Sequence, residues 1–171
     1  FRENTRNTKA GTNEALNLPV RVNETVVIGH LASATVYDNS GTNWDLSKFK
    51  EKTTSGGYSD IYIGPLTKIL PILDHENKLA FAIRDTIYFG NLDGDTFKAE
   101  RKFTIPKGEY CSSVFIAPTF GDADGDNTDD IIYLNSESDI RFCKGVGSTW
   151  NCGIDDTQLI HENHPDFDKQ S

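Results

Sequence analysis

The chain has no methionine, not even at position 1, only three cysteines and two tryptophans, and no apolar run long enough to cross a membrane. Without a starting methionine, Phe1 is not expected to be a translation start, and the chain reads as a processed piece or a fragment. Basic residues are outnumbered 17 to 26, and the resulting net charge of −9 opposes binding to the phosphates of nucleic acid. There is no Gly-x-Ser-x-Gly elbow and no glycine-rich phosphate loop before a helix. His161 and His164 fall in a polar tail with no helix to bring both rings to one face, which argues against a zinc pair. Asp155 and Asp156 are adjacent, so on a strand they point to opposite faces and cannot share a substrate bond. No enzymatic activity is expected from these 171 residues. An apolar content of 36% with 11% aromatics suits a soluble globular domain with a real core.

Convincing helical periodicity is also missing. From Leu16 onward the pattern is one of short β-type runs separated by Gly, Asn, Asp and Pro, which predicts an all-β fold. These runs repeat at a spacing of 53 residues: Trp44, Phe97 and Trp150; Gly41, Gly94 and Gly147; Val26, Leu79 and Ile132; Val36, Phe89 and Phe142. The glycine falls in a turn, and the aromatic after it closes a hairpin. A structural role for Trp44 and Trp150 is preferred to stacking on a sugar. Each unit is expected to hold four antiparallel strands, near 113–118, 130–134, 139–144 and 155–160 in the last and 60–65, 78–83, 86–90 and 100–105 in the middle. The first unit lacks an apolar opening strand, for which Val20-Arg21-Val22 is a substitute. The expected layout is a polar arm over 1–15, repeats over 16–160 divided at about 16–56, 57–109 and 110–160, and a polar tail over 161–171. Four-stranded units of this length are the signature of propeller blades, and three are too few to close a ring. Further blades from the same polypeptide, a partner chain or self-association are therefore expected.

The densest chemistry lies in Phe120-Gly121-Asp122-Ala123-Asp124-Gly125-Asp126-Asn127-Thr128-Asp129-Asp130. Five aspartates in nine residues repel one another unless a cation sits among them. In a tight loop Asp122, Asp124 and Asp126 can converge on one point, with Asp130 as a fourth ligand and a backbone carbonyl near Thr128. Such an all-oxygen, flexible cage favours Ca2+ over Mg2+ or zinc. An EF-hand is excluded because its sixth and twelfth positions would be Asn127 and Tyr133, and because a strand follows the loop. The second acidic stretch, Asn91-Leu92-Asp93-Gly94-Asp95, aligns with the turn at Gly147 and reads as a hairpin tip.

The motif Phe120-Gly121-Asp122-Ala123-Asp124-Gly125-Asp126 with Asp129-Asp130-Ile131-Ile132 resembles the calcium loop of the FG-GAP and VCBS repeats. This family includes integrin α-subunit propellers, some propeller lectins and many secreted proteins. The resemblance implies a β-propeller whose loop joins the first two strands of a blade. It implies as ligands Asp122, Asp124, Asp126, Asp130 and the carbonyl of Thr128. The corresponding positions in the middle unit, Ile69, Pro71, Leu73 and Asn77, cannot hold calcium.

If Gly147-Ser148 is a two-residue hairpin turn, Cys143 and Cys152 face each other within disulfide reach, leaving Cys111 unassigned. That bridge and the sequon Asn23-Glu24-Thr25 suit a secreted or cell-surface protein. The expected function is a calcium-stabilised extracellular binding module, lectin-like or adhesive, recognising a protein or glycan. The alternative is a non-catalytic accessory segment of a larger secreted enzyme or toxin. Catalysis through calcium as a Lewis acid ranks last, since the ligand set leaves at most a water position.

Overall fold

β-Branched and aromatic residues alternate between turn formers along most of the chain, and the backbone follows them. The computed structural model describes residues 19–74, 76–105, 118–134 and 140–152, which contain fourteen strands and no helix. The all-β expectation therefore holds for the described residues, none of which form a helix able to cross a membrane. The polar arm and tail, Cys111, His75, His161 and His164, and the strand expected over 155–160 lie outside them.

The first sheet is an antiparallel meander of β1 (Val20–Val22), β2 (Thr25–Gly29), β3 (Ala34–Tyr37) and β4 (Asn43–Leu46). The chain then forms a hairpin of β5 (Lys48–Lys52) and β6 (Tyr58–Asp60), whose turn contains the boundary expected at 56/57. The second meander is β7 (Ile69–Leu73), β8 (Leu79–Ile83), β9 (Thr86–Asp93) and β10 (Thr96–Thr104). The hairpin joins it because β5 pairs parallel with β10, giving six strands in the order β6-β5-β10-β9-β8-β7. The third meander is β11 (Thr119–Gly121), β12 (Asp130–Leu134), β13 (Ile140–Val146) and β14 (Thr149–Asn151). The described residues form three sheets, and β10 with β5 is their one parallel pair. They do not close into a barrel or ring.

The sheets stack face to face, as strand β8 of the second sheet makes plain. All five of its residues are buried, with Leu79, Phe81 and Ile83 turned to one core and Ala80 and Ala82 to the other. Because side chains alternate along a strand, only a sheet covered on both faces buries such a run. The first core joins Val27, Ala34, Val36 and Leu46 to Ile69, Leu79, Phe81 and Phe97. Phe49 enters it from the added hairpin, edge-on to Phe81 with ring centroids 5.2 Å apart. The second core joins Ala80, Ala82, Ile87 and Phe89 to Ile131, Tyr133, Cys143 and Trp150. Phe89 and Trp150 stack there, with centroids 5.4 Å apart and planes 7° from parallel. The opening strands also neighbour one another, β7 touching β1 on one side and β11 on the other.

Several strands differ from expectation. The middle meander opens at Ile69–Leu73, not 60–65. Pro71 disfavours a strand reading, but β7 is the edge of its sheet, where a residue without an N–H is tolerated. In the last meander β11 is Thr119–Gly121 and β14 is Thr149–Asn151, directly after the turn, while 113–117 of the strand expected over 113–118, and all of that over 155–160, lie outside the described residues.

The repeat is also less regular than its sequence spacing. Ala80 faces Phe89 while Ile132 faces Phe142, so β12 has slipped by one residue against the 53-residue step. A one-residue slip reverses the faces of a strand. Ile131 and Tyr133 consequently pack against the second sheet in place of Ile132. Trp44 likewise does not match Phe97 and Trp150. It pairs with Val36 across a longer turn, just as Arg101 pairs with Phe89. Both bond to the hairpin tip of the following sheet, Trp44 Nε1 donating to Gly94 O at 3.1 Å and Arg101 Nη1 to Ser148 O at 3.1 Å.

Candidate metal centre

The acidic loop joins β11 to β12, which pair in register with Gly121 opposite Asp130. The equivalent turns lie between Val22 and Thr25 in the first sheet and between Leu73 and Leu79 in the second. The third is the longest of the three. Within it Gly125 (φ 82°) and Asn127 (φ 65°) take left-handed conformations open to those two residue types.

Amide donors order the carboxylates. Asp122 Oδ1 accepts from Gly125 N at 2.7 Å and Asp126 N at 3.0 Å, and its Oδ2 accepts from Asn127 N at 2.9 Å. Asp124 Oδ1 takes Asp126 N at 3.2 Å. Asp130 is wholly buried and clamps two segments, its Oδ2 taking Ala123 N at 2.8 Å and its Oδ1 taking Gly145 N at 2.7 Å. A carboxylate oxygen has two lone pairs; Asp122 Oδ1 uses both on amides, whereas Asp122 Oδ2 and each oxygen of Asp130 take one amide and keep acceptor capacity.

Among the described residues one cluster of possible metal-ligating side chains occurs: carboxylate oxygens of Asp122, Asp124 and Asp130 within 4.8 Å of one another. Asp126 stands outside this group, with Oδ1 on Thr128 N at 2.8 Å and Oδ2 3.1 Å from Lys144 Nζ. Thr128 is half-buried in the same loop. An oxygen-only set of this kind fits a hard cation of the calcium type.

The loop rests on the β13–β14 hairpin. A Cβ at position 145 would lie 2.6 Å from Asp129 O and 2.6 Å from Thr128 Cγ2, so glycine there lets the strand and loop touch. Trp150 Nε1 donates to Asp129 O at 3.0 Å. Sequence reading pointed to neither Gly145 nor Lys144. Lys144 Nζ pairs with Asp124 Oδ2 and Asp126 Oδ2, and those bonds raise the pKa of the ammonium far above its usual range. Asp126 is in turn held below the usual carboxylate range, first by Lys144 and then by the Thr128 amide.

Cys143 and Cys152 form a disulfide across this hairpin, with Cα atoms 4.3 Å apart, as their equal distance from the Gly147-Ser148 turn predicted. An open cleft of about 300 Å³ lies beside the loop, lined by Asn127, Thr128, Asp129, Gly147, Ser148 and Trp150. The stretch 91–95 spans the end of β9 and the Gly94 turn into β10, a hairpin tip as expected. Asn23 is exposed at the β1–β2 turn. Comparison with protein-family models, curated proteins and solved structures gives no match, so any functional reading rests on these residues alone.

Proposed function

We propose that this chain is a calcium-stabilised, secreted, non-enzymatic module of FG-GAP/VCBS type, built of propeller blades, that recognises a protein or a glycan through its rim loops. The observation that carries the reading is the convergence of Asp122, Asp124 and Asp130 within 4.8 Å on a loop already ordered by its own amides. Asp122, Asp124 and Asp130 would hold the ion, with Asp126 and the carbonyl of Thr128 the further ligands that the motif suggests. Bound there, the ion would supply positive charge, offsetting repulsion among the carboxylates and tying β11, β12 and the loop together. The propeller reading is supported by three stacked meanders whose opening strands lie side by side. The secreted reading is supported by the Cys143–Cys152 disulfide. Rim loops on a rigid sheet scaffold are suited to recognition, and the cleft beside the acidic loop is one such place.

Two measurements test the proposal. Calcium titrated into the chelator-treated chain is expected to release or absorb heat at one site and raise the melting temperature. No heat and no shift would sink the metal reading. Glycan arrays and cell-surface binding, each with and without EDTA, test recognition, and silence in both with the fold intact would sink that part.

A further inference from the structure

On the reading that the acidic loop takes calcium, we propose that Lys144 is its internal competitor: a tethered ammonium that holds the carboxylates together when the ion is absent and sets how tightly the ion binds. The backbone of Lys144 is fixed against the loop from both sides. Cys143 before it is in the disulfide, and Gly145 after it donates its amide to the buried Asp130 at 2.7 Å and packs on Asp129 O. Only the side chain is free to move, and it is 40% exposed. Its Nζ pairs with Asp124 and, at 3.1 Å, with Asp126. Among the described residues it is the only cation paired with the loop's aspartates.

Asp124 is therefore claimed twice, as a partner of the ammonium and as one of the three carboxylates that converge. A dication at about 2.3–2.6 Å from its oxygen would lie within a few ångströms of the ammonium, where like charges repel. Lysine's long flexible stem lets the ammonium swing into water when the ion enters. Binding is then an exchange of one cation for another, and the loop keeps an ordered form in either state.

This role has a signature that a merely structural lysine lacks, because removing the charge should change the two states in opposite directions. The test uses the full chain, with calcium chloride titrated calorimetrically into chelator-treated protein and a melting temperature taken in EDTA. Lys144→Gln is expected to bind calcium about five- to tenfold more tightly than the parent, from the loss of two partly exposed ion pairs, while melting lower in EDTA. Lys144→Met should behave like Lys144→Gln, and Lys144→Arg like the parent. Equal or weaker calcium affinity in Lys144→Gln, alongside measurable binding by the parent, overturns the competitor role and leaves the calcium site standing. No calcium binding by either protein overturns both.

Discussion

Asp130 should hold the acidic loop in place even without metal, whereas Asp124 should not, and Asp→Asn substitutions in EDTA separate the two. Asp130 is wholly buried and accepts Ala123 N at 2.8 Å and Gly145 N at 2.7 Å, one on each carboxylate oxygen. Asparagine fits the same space but has one oxygen, so one amide N–H would face an NH2 group. Losing a charge-assisted bond and stranding a buried donor together cost about 3 kcal/mol. In a chain of this size that lowers the melting temperature by about 6–12 °C. Asp124, whose side chain is 18% exposed, accepts one long amide bond at 3.2 Å beside its pair with the partly exposed Lys144, so Asp124→Asn should cost about 1 kcal/mol or less. Thermal unfolding followed by circular dichroism in excess EDTA measures both. Equal shifts for the two variants would refute the view that Asp130 joins the segments of this loop.

With calcium present, EDTA is expected to lower the melting temperature markedly and Asp124→Ala to lower it by a similar amount, whereas Asp93→Ala, in the β9–β10 turn, should do far less. Similar losses for the two substitutions would show that the second acidic turn is also a cation site. Replacing Cys143 and Cys152 by serine opens a bridge across a sequence separation of 9, which should cost about 2–3 kcal/mol in urea unfolding. No change in midpoint would show that the bridge adds nothing to stability. Phe97→Ala should cost about 3–5 kcal/mol, since Phe97 is fully buried against Phe81 with centroids 4.8 Å apart. A loss below about 1 kcal/mol would contradict the stacking of the first two sheets. Glu100 is held below its ordinary value of 4.5, first by Lys52 and then by the Tyr58 hydroxyl. Its folded value is depressed, so its stabilising effect is full above pH 4.5 and is lost as pH falls through the folded value. Glu100→Gln should therefore flatten the fall in stability on acidification, and an unchanged slope in urea unfolding across that range would rule it out.

Whatever depends on neighbours along the chain was legible in the sequence. Short β-branched and aromatic runs between turn formers marked the strands at β8, β9 and β12, because side chains on a strand alternate between two faces that each need a partner. A two-residue turn at Gly147-Ser148 fixed the facing of Cys143 and Cys152, because hairpin register follows from turn length. The aspartate spacing picked out the loop whose three carboxylates converge. Tertiary structure alone decided what depends on distant segments. Pro71 could lie in a strand only because β7 is a sheet edge, and Lys48–Lys52 joined the second sheet through its parallel ladder with β10, with Phe49 edge-on to Phe81 beneath it. The one-residue slip of β12, which turns Ile131 and Tyr133 to the core, is set by pairing across the sheet and cannot be read from a constant spacing. Lys144 and Gly145 came to matter for the same reason: local pattern predicts which residues share a face, and only packing decides what that face meets.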